Sequence, residues 1–330
     1  MGAMVLPAFG APLREHQLPR PIPSPGEVLV RIAASGVNPL DVKIRSGQAA
    51  HAQVTPPFVL GIDLAGTVEE IGPGVDRFTI GDAVFGMTGG VGDHQGSLAQ
   101  WAAVDAELLA RKPERLSMRE AAALPLAAIS AWEGLVDRAA VRDGDVVLVH
   151  GGAGGVGTIA VQLAASRGAT VYATASPRSF DAVRAAGARP IDRDTPVASY
   201  VAQMTEGEGF DVIFDTVGGP ALDDSFAAVR RYTGHVVSIL GWGSHMLAPL
   251  SLRGATYSGV FTLLPLLTGQ GREHHREILC AIADLVDAGA ITPRLSEDRY
   301  GWSTIENAHD AVTRAEGHGK IVIEFDENPS

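Results

Sequence analysis

The stretch Val146–Gly157, VVLVHGGAGGVG, constrains the fold more than any other part of the chain. It opens with four apolar residues in a row, three of them β-branched, which predicts a strand buried on both faces. Gly152-Ala153-Gly154-Gly155-Val156-Gly157 then fits G-x-G-x-x-G, and TIAVQLAASRG continues as a helix with Gly168 at its end. The first glycine permits a tight turn, and the second lets backbone approach a pyrophosphate. The third lets the helix pack close to the strand, so that phosphates meet the positive end of the helix dipole. Gly152, Gly154, Gly155, Val156 and Gly157 are therefore candidate dinucleotide-binding residues. The alternative is a structural glycine turn that binds nothing, and the strand before and helix after it argue against that.

Around this unit the chain has two textures. Residues 1–124 carry short strand patterns such as MVLPAFG, EVLVRIAASGV, FVLGIDLAGTVEEIGPGV and FTIGDAVFGM, and GSLAQWAAVDAELLARKP adds a strand pair. PLREHQLPRPIPSPG reads as a proline-punctuated connection. From Met118 an alanine-rich helical stretch is broken at Pro125. Strands then alternate with helices through VVLVH, VYATA, PID, FDVIFDT and HVVSIL, the pattern of a doubly wound parallel sheet. Beyond Gly259, FTLLPLLTG reads as a strand or a hydrophobic lid. EILCAIADLVDAG is an amphipathic helix containing Cys280 and capped by Gly289, STIENAHDAVTRAEG a second helix, and KIVIEF a last strand. At 330 residues the chain is long enough for two domains. A net charge of −12 without a Lys/Arg block argues against nucleic acid as a partner. One cysteine excludes an intramolecular disulfide and a multi-cysteine zinc site. No basic, apolar leader pattern opens the chain, and no apolar run reaches the ~18–20 residues of a membrane span. The expected location is the cytoplasm, with no membrane partner.

These textures, with AASGVNPLDVKIRSG, GIDLAGTVEEIG, GDAVFG, VLVHGGAGGVG, FDVIFDTVGG and GKIVI in this order, resemble the medium-chain dehydrogenase/reductase superfamily, specifically its zinc-free quinone oxidoreductase branch. The resemblance implies an α/β fold, a GroES-like β-rich catalytic domain (residues 1–124 and 266–330) around an inserted Rossmann domain (residues 125–265). It also implies a homodimer joined through the Rossmann sheets, with GATYSGVFTLL as the edge. Zinc alcohol dehydrogenases of the superfamily have cysteine at the position of Asn38 and a His-Glu pair at Ile62-Asp63. Neither Asn38 nor Ile62 serves as such a ligand, and His94, His274 and His275 read as solvated surface residues. A metal-free site is therefore expected, which favours reduction of a quinone or enone over oxidation of an alcohol.

The cofactor reading turns on the end of VYATA. No acid stands there to bind a ribose 2′-hydroxyl, and Asp181 falls in the next helical turn. Ser176 can donate a hydrogen bond and Arg178 can pair with a phosphate, while the resemblance brings Arg193 to the same phosphate. NADPH is the expected cofactor, with solvated loop arginines as the bland alternative. At the reacting end, the resemblance places Asn38 against the nicotinamide or the substrate carbonyl, the alternative being a turn-former before Pro39. Lys43, where many relatives have tyrosine, either stabilises a developing oxyanion or is simply exposed. Ser130 matches a family threonine near the nicotinamide or caps a helix. Asp63 is expected as a hydrogen-bonded structural carboxylate. Gly241, Trp242, Phe261 and Lys320 complete the set that the resemblance assigns around the cofactor, with plain core packing as the alternative for Trp242 and Phe261.

Overall fold

β-Branched and aliphatic residues place the longest strand of the chain at Glu27–Val37, with Val28, Leu29, Val30 and Ile32 buried. The computed structural model describes residues 1–314 and 319–325. They cluster into two units. One holds Met1–Leu126, Leu263–Gly289 and the described residues from Pro293 onward; the other holds Ala127–Thr262 with Ala290–Thr292.

The first unit begins with β1 (Gly2–Leu6), β2 (Arg14–Gln17), β3 (Glu27–Val37) and α1 (Pro39–Arg45). β4 (Phe58–Val59), β5 (Asp63–Ile71), β6 (Ala83–Met87), β7 (Trp101–Asp105), β8 (Leu109–Arg111) and α2 (Met118–Ala122) follow. β2 lies inside the segment expected to be a plain connection. All four of its residues are exposed, so it carries no apolar alternation, and pairing with β1 alone makes it a strand. β7 and β8 do not pair with each other: β7 adds to β3 and β8 to β6.

In the second unit the alternation is as expected. After α3 (Pro125–Trp132) come β9 (Val146–His150), α4 (Gly155–Ser166), β10 (Thr170–Ala175), α5 (Phe180–Ala185), β11 (Arg189–Asp192) and α6 (Val197–Thr205). β12 (Val212–Asp215), α7 (Pro220–Ala228), β13 (His235–Ser238), α8 (Ala248–Arg253) and β14 (Thr256–Gly259) complete it. The six strands are parallel in the order β11-β10-β9-β12-β13-β14. Strand order reverses between β9 and β12, where His150 and Asp215 stand side by side at the carboxyl ends. In open α/β sheets that reversal makes a ligand crevice. One face buries Leu148, Tyr172, Phe210, Ile213 and Phe226 in a single cluster, each side chain contributing about 1.5–3 kcal/mol.

The chain returns to the first unit with α9 (Leu264–Thr268), α10 (Arg272–Asp287), β15 (Tyr300–Gly301), α11 (Ile305–Thr313) and β16 (Ile321–Glu324). FTLLPLLTG is thus a helical turn, with Pro265 pre-set for its start. α10 begins earlier than the apolar pattern suggested. His275 lies one turn before Ile278 and Leu279 on the same stripe and is buried, not solvated. Cys280 falls off that stripe and is exposed. β16 pairs β3 with Ile321 opposite Val37, and β5 pairs β3 with Asp63 opposite Gly36. Among the described residues, no helix is long and apolar enough to cross a membrane.

Two glycines hold this geometry. A Cβ on Gly36 would lie 2.2 Å from the Ala122 carbonyl, so only glycine lets α2 approach β3 beside Asp63. A Cβ on Gly157 would lie 2.1 Å from the Gly151 carbonyl, where no flexible side chain can yield. Gly157→Ala should therefore destabilise the chain by about 1–3 kcal/mol, read as a lowered midpoint in thermal unfolding; an unchanged midpoint would contradict the close helix–strand packing.

Candidate active site

The registers just given put Asn38, Asp63 and Lys320 together, although 282 positions separate the first from the last. Asn38 follows the last residue of β3, Asp63 opens β5, and Lys320 precedes β16. All three are buried. Asn38 Nδ2 donates to Asp63 Oδ2 at 2.9 Å, and Lys320 Nζ donates to Asn38 Oδ1 and, at 3.4 Å, to Asp63 Oδ2. Asp63 Oδ1 accepts the backbone N–H of Leu126 at 2.9 Å. Asp63 is the hydrogen-bonded carboxylate expected from sequence. Lys320, expected at the cofactor, has its ammonium on Asn38 and Asp63.

Asn38 caps α1 with extended backbone, and Pro39 occupies the first helical position. Asp41, three residues on, accepts the Asn38 backbone N–H at 2.8 Å. Sequence reasoning passed over Asp41, although the polar-x-x-acid spacing at a helix start is a capping signal. Its second oxygen, Oδ1, is buried without a hydrogen-bond partner in the structure. Burial pushes the Asp41 carboxyl up to about 7, and the Asp63 carboxylate adds to the shift against the opposing pull of Asn38 and Lys320. Asp63 is raised too, mainly by burial, with Lys320 opposing. Two buried carboxyls thus share one ammonium, and a proton on Asp41 leaves the cluster neutral. Lys43 is exposed, on a different face of α1 from Asp41 and Ile44. Partial burial and then the Lys43 charge hold His51 below the ordinary histidine value.

In the second unit, Gly151 takes φ +74° and turns the chain from β9 into the glycine loop. A Cβ on Gly152 would lie 2.4 Å from that of Ala173. α4 starts at Gly155 behind Gly154, with no side-chain cap and no acid in its first turn. Gly154 and Gly155 are exposed. That end offers free N–H groups and positive dipole to an anion, so these residues fit a pyrophosphate. Ser176 follows β10, Arg178 is exposed in the next turn, and the Arg193 backbone N–H donates to the Ala175 carbonyl at 3.0 Å. The two arginines therefore lie at the ends of neighbouring strands. Asp181 is exposed and paired with Arg184 at 2.8 Å. Trp242 and Phe261 meet edge to face, ring centroids 6.0 Å apart. Gly241 lies against the Tyr257 hydroxyl, which a Cβ would approach to 2.2 Å. Ser130 is buried inside α3 and caps nothing.

The sequence matches the family model for the alcohol dehydrogenase GroES-like domain over residues 24–114 and that for zinc-binding dehydrogenase over residues 186–323. It is 30% identical over 351 residues to the mitochondrial reticulon-4-interacting protein 1 of Caenorhabditis elegans, covering 96% of this chain and 93% of that one. A solved alcohol dehydrogenase superfamily protein of Novosphingobium aromaticivorans is 54% identical with a TM-score of 0.97, over 99% of this chain and all of that one. The chain belongs to the medium-chain dehydrogenase/reductase superfamily. Members are oxidoreductases that bind NAD(P), which suits the cradle described above. Two further solved members are similar, each over 98% of this chain and 99% of the other. The quinone oxidoreductase of Coxiella burnetii is 28% identical with TM-score 0.83, and the CurK enoyl reductase 26% with 0.86. Polyketide synthases match as well; against Pks1 of Mycobacterium tuberculosis identity is 34% over 90% of this chain, which spans only 18% of the synthase.

One further histidine, His94, is held at the surface by polar partners and keeps 33% of its side chain exposed. His94 Nε2 lies 3.0 Å from the Leu266 carbonyl and accepts from Arg272 Nη2 at 3.0 Å, while Arg272 Nη1 holds Asp105 at 2.7 Å. Partly exposed as expected, His94 is also part of a strut beside a cavity of about 800 Å³ lined by Phe58, Leu267 and Thr268.

The Asp41 shift has a signed consequence. Folded Asp41 keeps its proton up to about pH 7, whereas the unfolded side chain loses it above its ordinary 3.8. Folding therefore becomes less favourable as pH rises across that window, and flat above it. Asp41→Asn removes this slope. Its unfolding free energy relative to the parent should rise by at most about 1.4 kcal/mol per pH unit between about pH 4 and about pH 7. Urea unfolding at several pH values measures it; a pH-independent difference would show that Asp41 ionises normally.

Proposed function

We propose that this chain is a zinc-independent, NADPH-dependent reductase that delivers hydride to a quinone. The observation that carries the reading is the Lys320 ammonium seated on the Asn38 amide and Asp63. In zinc-dependent relatives, cysteine and acid at the corresponding positions serve a metal. Here the donor set is an amide already engaged by a cation, with the apolar Ile62 beside it. A built-in ammonium in place of a Lewis acid suits an acceptor already activated for hydride, not an alcohol.

The bound cofactor supplies hydride from the dihydronicotinamide ring. The backbone N–H groups of Gly155, Val156 and Gly157 would hold its pyrophosphate, with Gly154, whose own N–H is bonded to the Gly151 carbonyl, leaving room for its approach. Ser176, Arg178 and Arg193 would hold its 2′-phosphate, and Gly241 and Phe261 its nicotinamide end. Asn38 orients the acceptor carbonyl, and Lys43 or solvent returns the proton that completes the quinol. Similarity to the CurK enoyl reductase supports a second reading, reduction of the C=C bond of an α,β-unsaturated ketone or aldehyde.

Steady-state rates with NADPH over naphthoquinones, benzoquinones, enones and alkenals test this, before and after dialysis against a chelator. Quinone turnover that survives chelation is expected. Turnover of enones alone would select the second reading, loss on chelation would overturn the metal-free site, and inactivity throughout would leave a non-catalytic NADPH-binding protein. Arg178→Ala with Arg193→Ala should raise KM for NADPH by roughly ten- to a hundredfold, the worth of one charge-assisted hydrogen bond, and leave KM for NADH nearly unchanged. Equal effects on both cofactors would refute the phosphate assignment.

Two copies would join through β14, an edge strand with Tyr257 exposed and with Met246, Leu247 and Leu252 exposed nearby in sequence. Light scattering should give twice the chain mass of 34.4 kDa; a monomeric mass would refute the pairing.

A further inference from the structure

We infer that Lys320 is a positioning residue: with Asp63 it locks the Asn38 amide in one orientation and readies the remaining Asn38 N–H as donor to the acceptor oxygen. The inference rests on the proposed reading of Asn38 as the group that meets the acceptor. A primary amide can occupy either of two flips, and its neighbours decide between them. An ammonium has only protons to give, so Asn38 must turn Oδ1 to Lys320. Nδ2 then faces Asp63 Oδ2 at 2.9 Å, and Asp63 is itself fixed by the Leu126 N–H at 2.9 Å. The opposite flip would set an NH2 group against an ammonium inside a buried cluster.

The arrangement does more than hold a rotamer. A cation on the carbonyl oxygen of an amide draws density from its nitrogen, so the N–H becomes a stronger donor. One Nδ2 hydrogen is committed to Asp63, and the other is left. Burial of all three residues keeps water from screening that polarisation. A preorganised donor of this kind is what negative charge developing on a quinone or enolate oxygen requires. Lys320 is itself fixed: its backbone N–H donates to the Arg294 carbonyl at 2.7 Å, and its carbonyl accepts from Ser296 at 2.9 Å. The ammonium is thus delivered by a strand end whose N–H and carbonyl are both held by the segment around Leu295.

The test uses the full chain and the variants Lys320→Met and Lys320→Arg. The sequence has three asparagines, Asn38, Asn307 and Asn328, so selective 15N-Asn labelling resolves the Asn38 side-chain NH2 directly. In the parent those protons should exchange slowly with water, and Lys320→Met should speed exchange at least about tenfold. With NADPH and a 1,4-naphthoquinone, Lys320→Met should lower kcat at least about tenfold. Its NADPH Kd by fluorescence titration should stay within about twofold, and Lys320→Arg, which keeps a cation there, should recover part of kcat. A loss confined to NADPH Kd would make Lys320 a cofactor contact and overturn the proposal, as would unchanged NH2 exchange or unchanged kcat in Lys320→Met. Should Lys320→Met not fold, Lys320→Arg decides: it must retain slow NH2 exchange and measurable kcat. A parent that turns over no acceptor would instead refute the functional reading, with NH2 exchange still reporting whether the amide is locked.

Discussion

Three antiparallel strands in fixed register, β16, β3 and β5, deliver an ammonium, an amide and a carboxylate to one point. The first unit depends on that convergence. Period-two strand geometry means that a slip of one residue in either pairing would turn Asp63 or Lys320 to the opposite face. The register is set by ordinary means: buried aliphatic residues along β3, and a glycine at position 36 that admits α2. Once it is set, the polar groups have little choice of partner. Each buried charge finds its complement in the cluster, except for the Asp41 oxygen that burial favours in protonated form.

The second unit solves a different problem with backbone alone. Its glycine loop leaves a helix start without a side-chain cap and without acid, so an anion finds donors that the chain itself does not use. The neighbouring strand ends add two exposed arginines and no acid at the close of β10. The two units therefore supply distinct physical resources: unspent backbone donors in one, a spent and desolvated charge cluster in the other.

Legibility in the sequence follows the same divide. Val146–Gly157 and the strand–helix alternation after it were readable because their cause is local: four apolar residues, glycines at fixed spacing, and a helix with Gly168 beyond its end. β2 was not readable, since an exposed strand carries no apolar signature and exists only by pairing. His275 was misplaced because the reading of α10 began at Glu277, five residues after its first residue, Arg272. The partners of the partly exposed His94, Leu266 and Arg272, left no signal because they lie far along the chain. The contact of Lys320 with Asn38 left no signal in spacing. Asp41 did leave one, the capping interval, but nothing in the sequence marks that it is buried beside a second carboxylate.

The separation of Lys320 from Asp63 by 257 residues bears on how the molecule comes to exist. During synthesis, β3, β5 and the whole of the second unit emerge before the strand that brings the ammonium. Until β16 docks, Asp41 and Asp63 have no cation, and the Asn38 amide has no reason to prefer one flip. Closing so long a loop costs entropy that grows only slowly with its length, but it delays the contact until late. The nucleotide cradle, built from neighbours in sequence, needs no such wait. A nascent or nicked chain can therefore hold a finished cofactor loop while its chemistry is still unassembled.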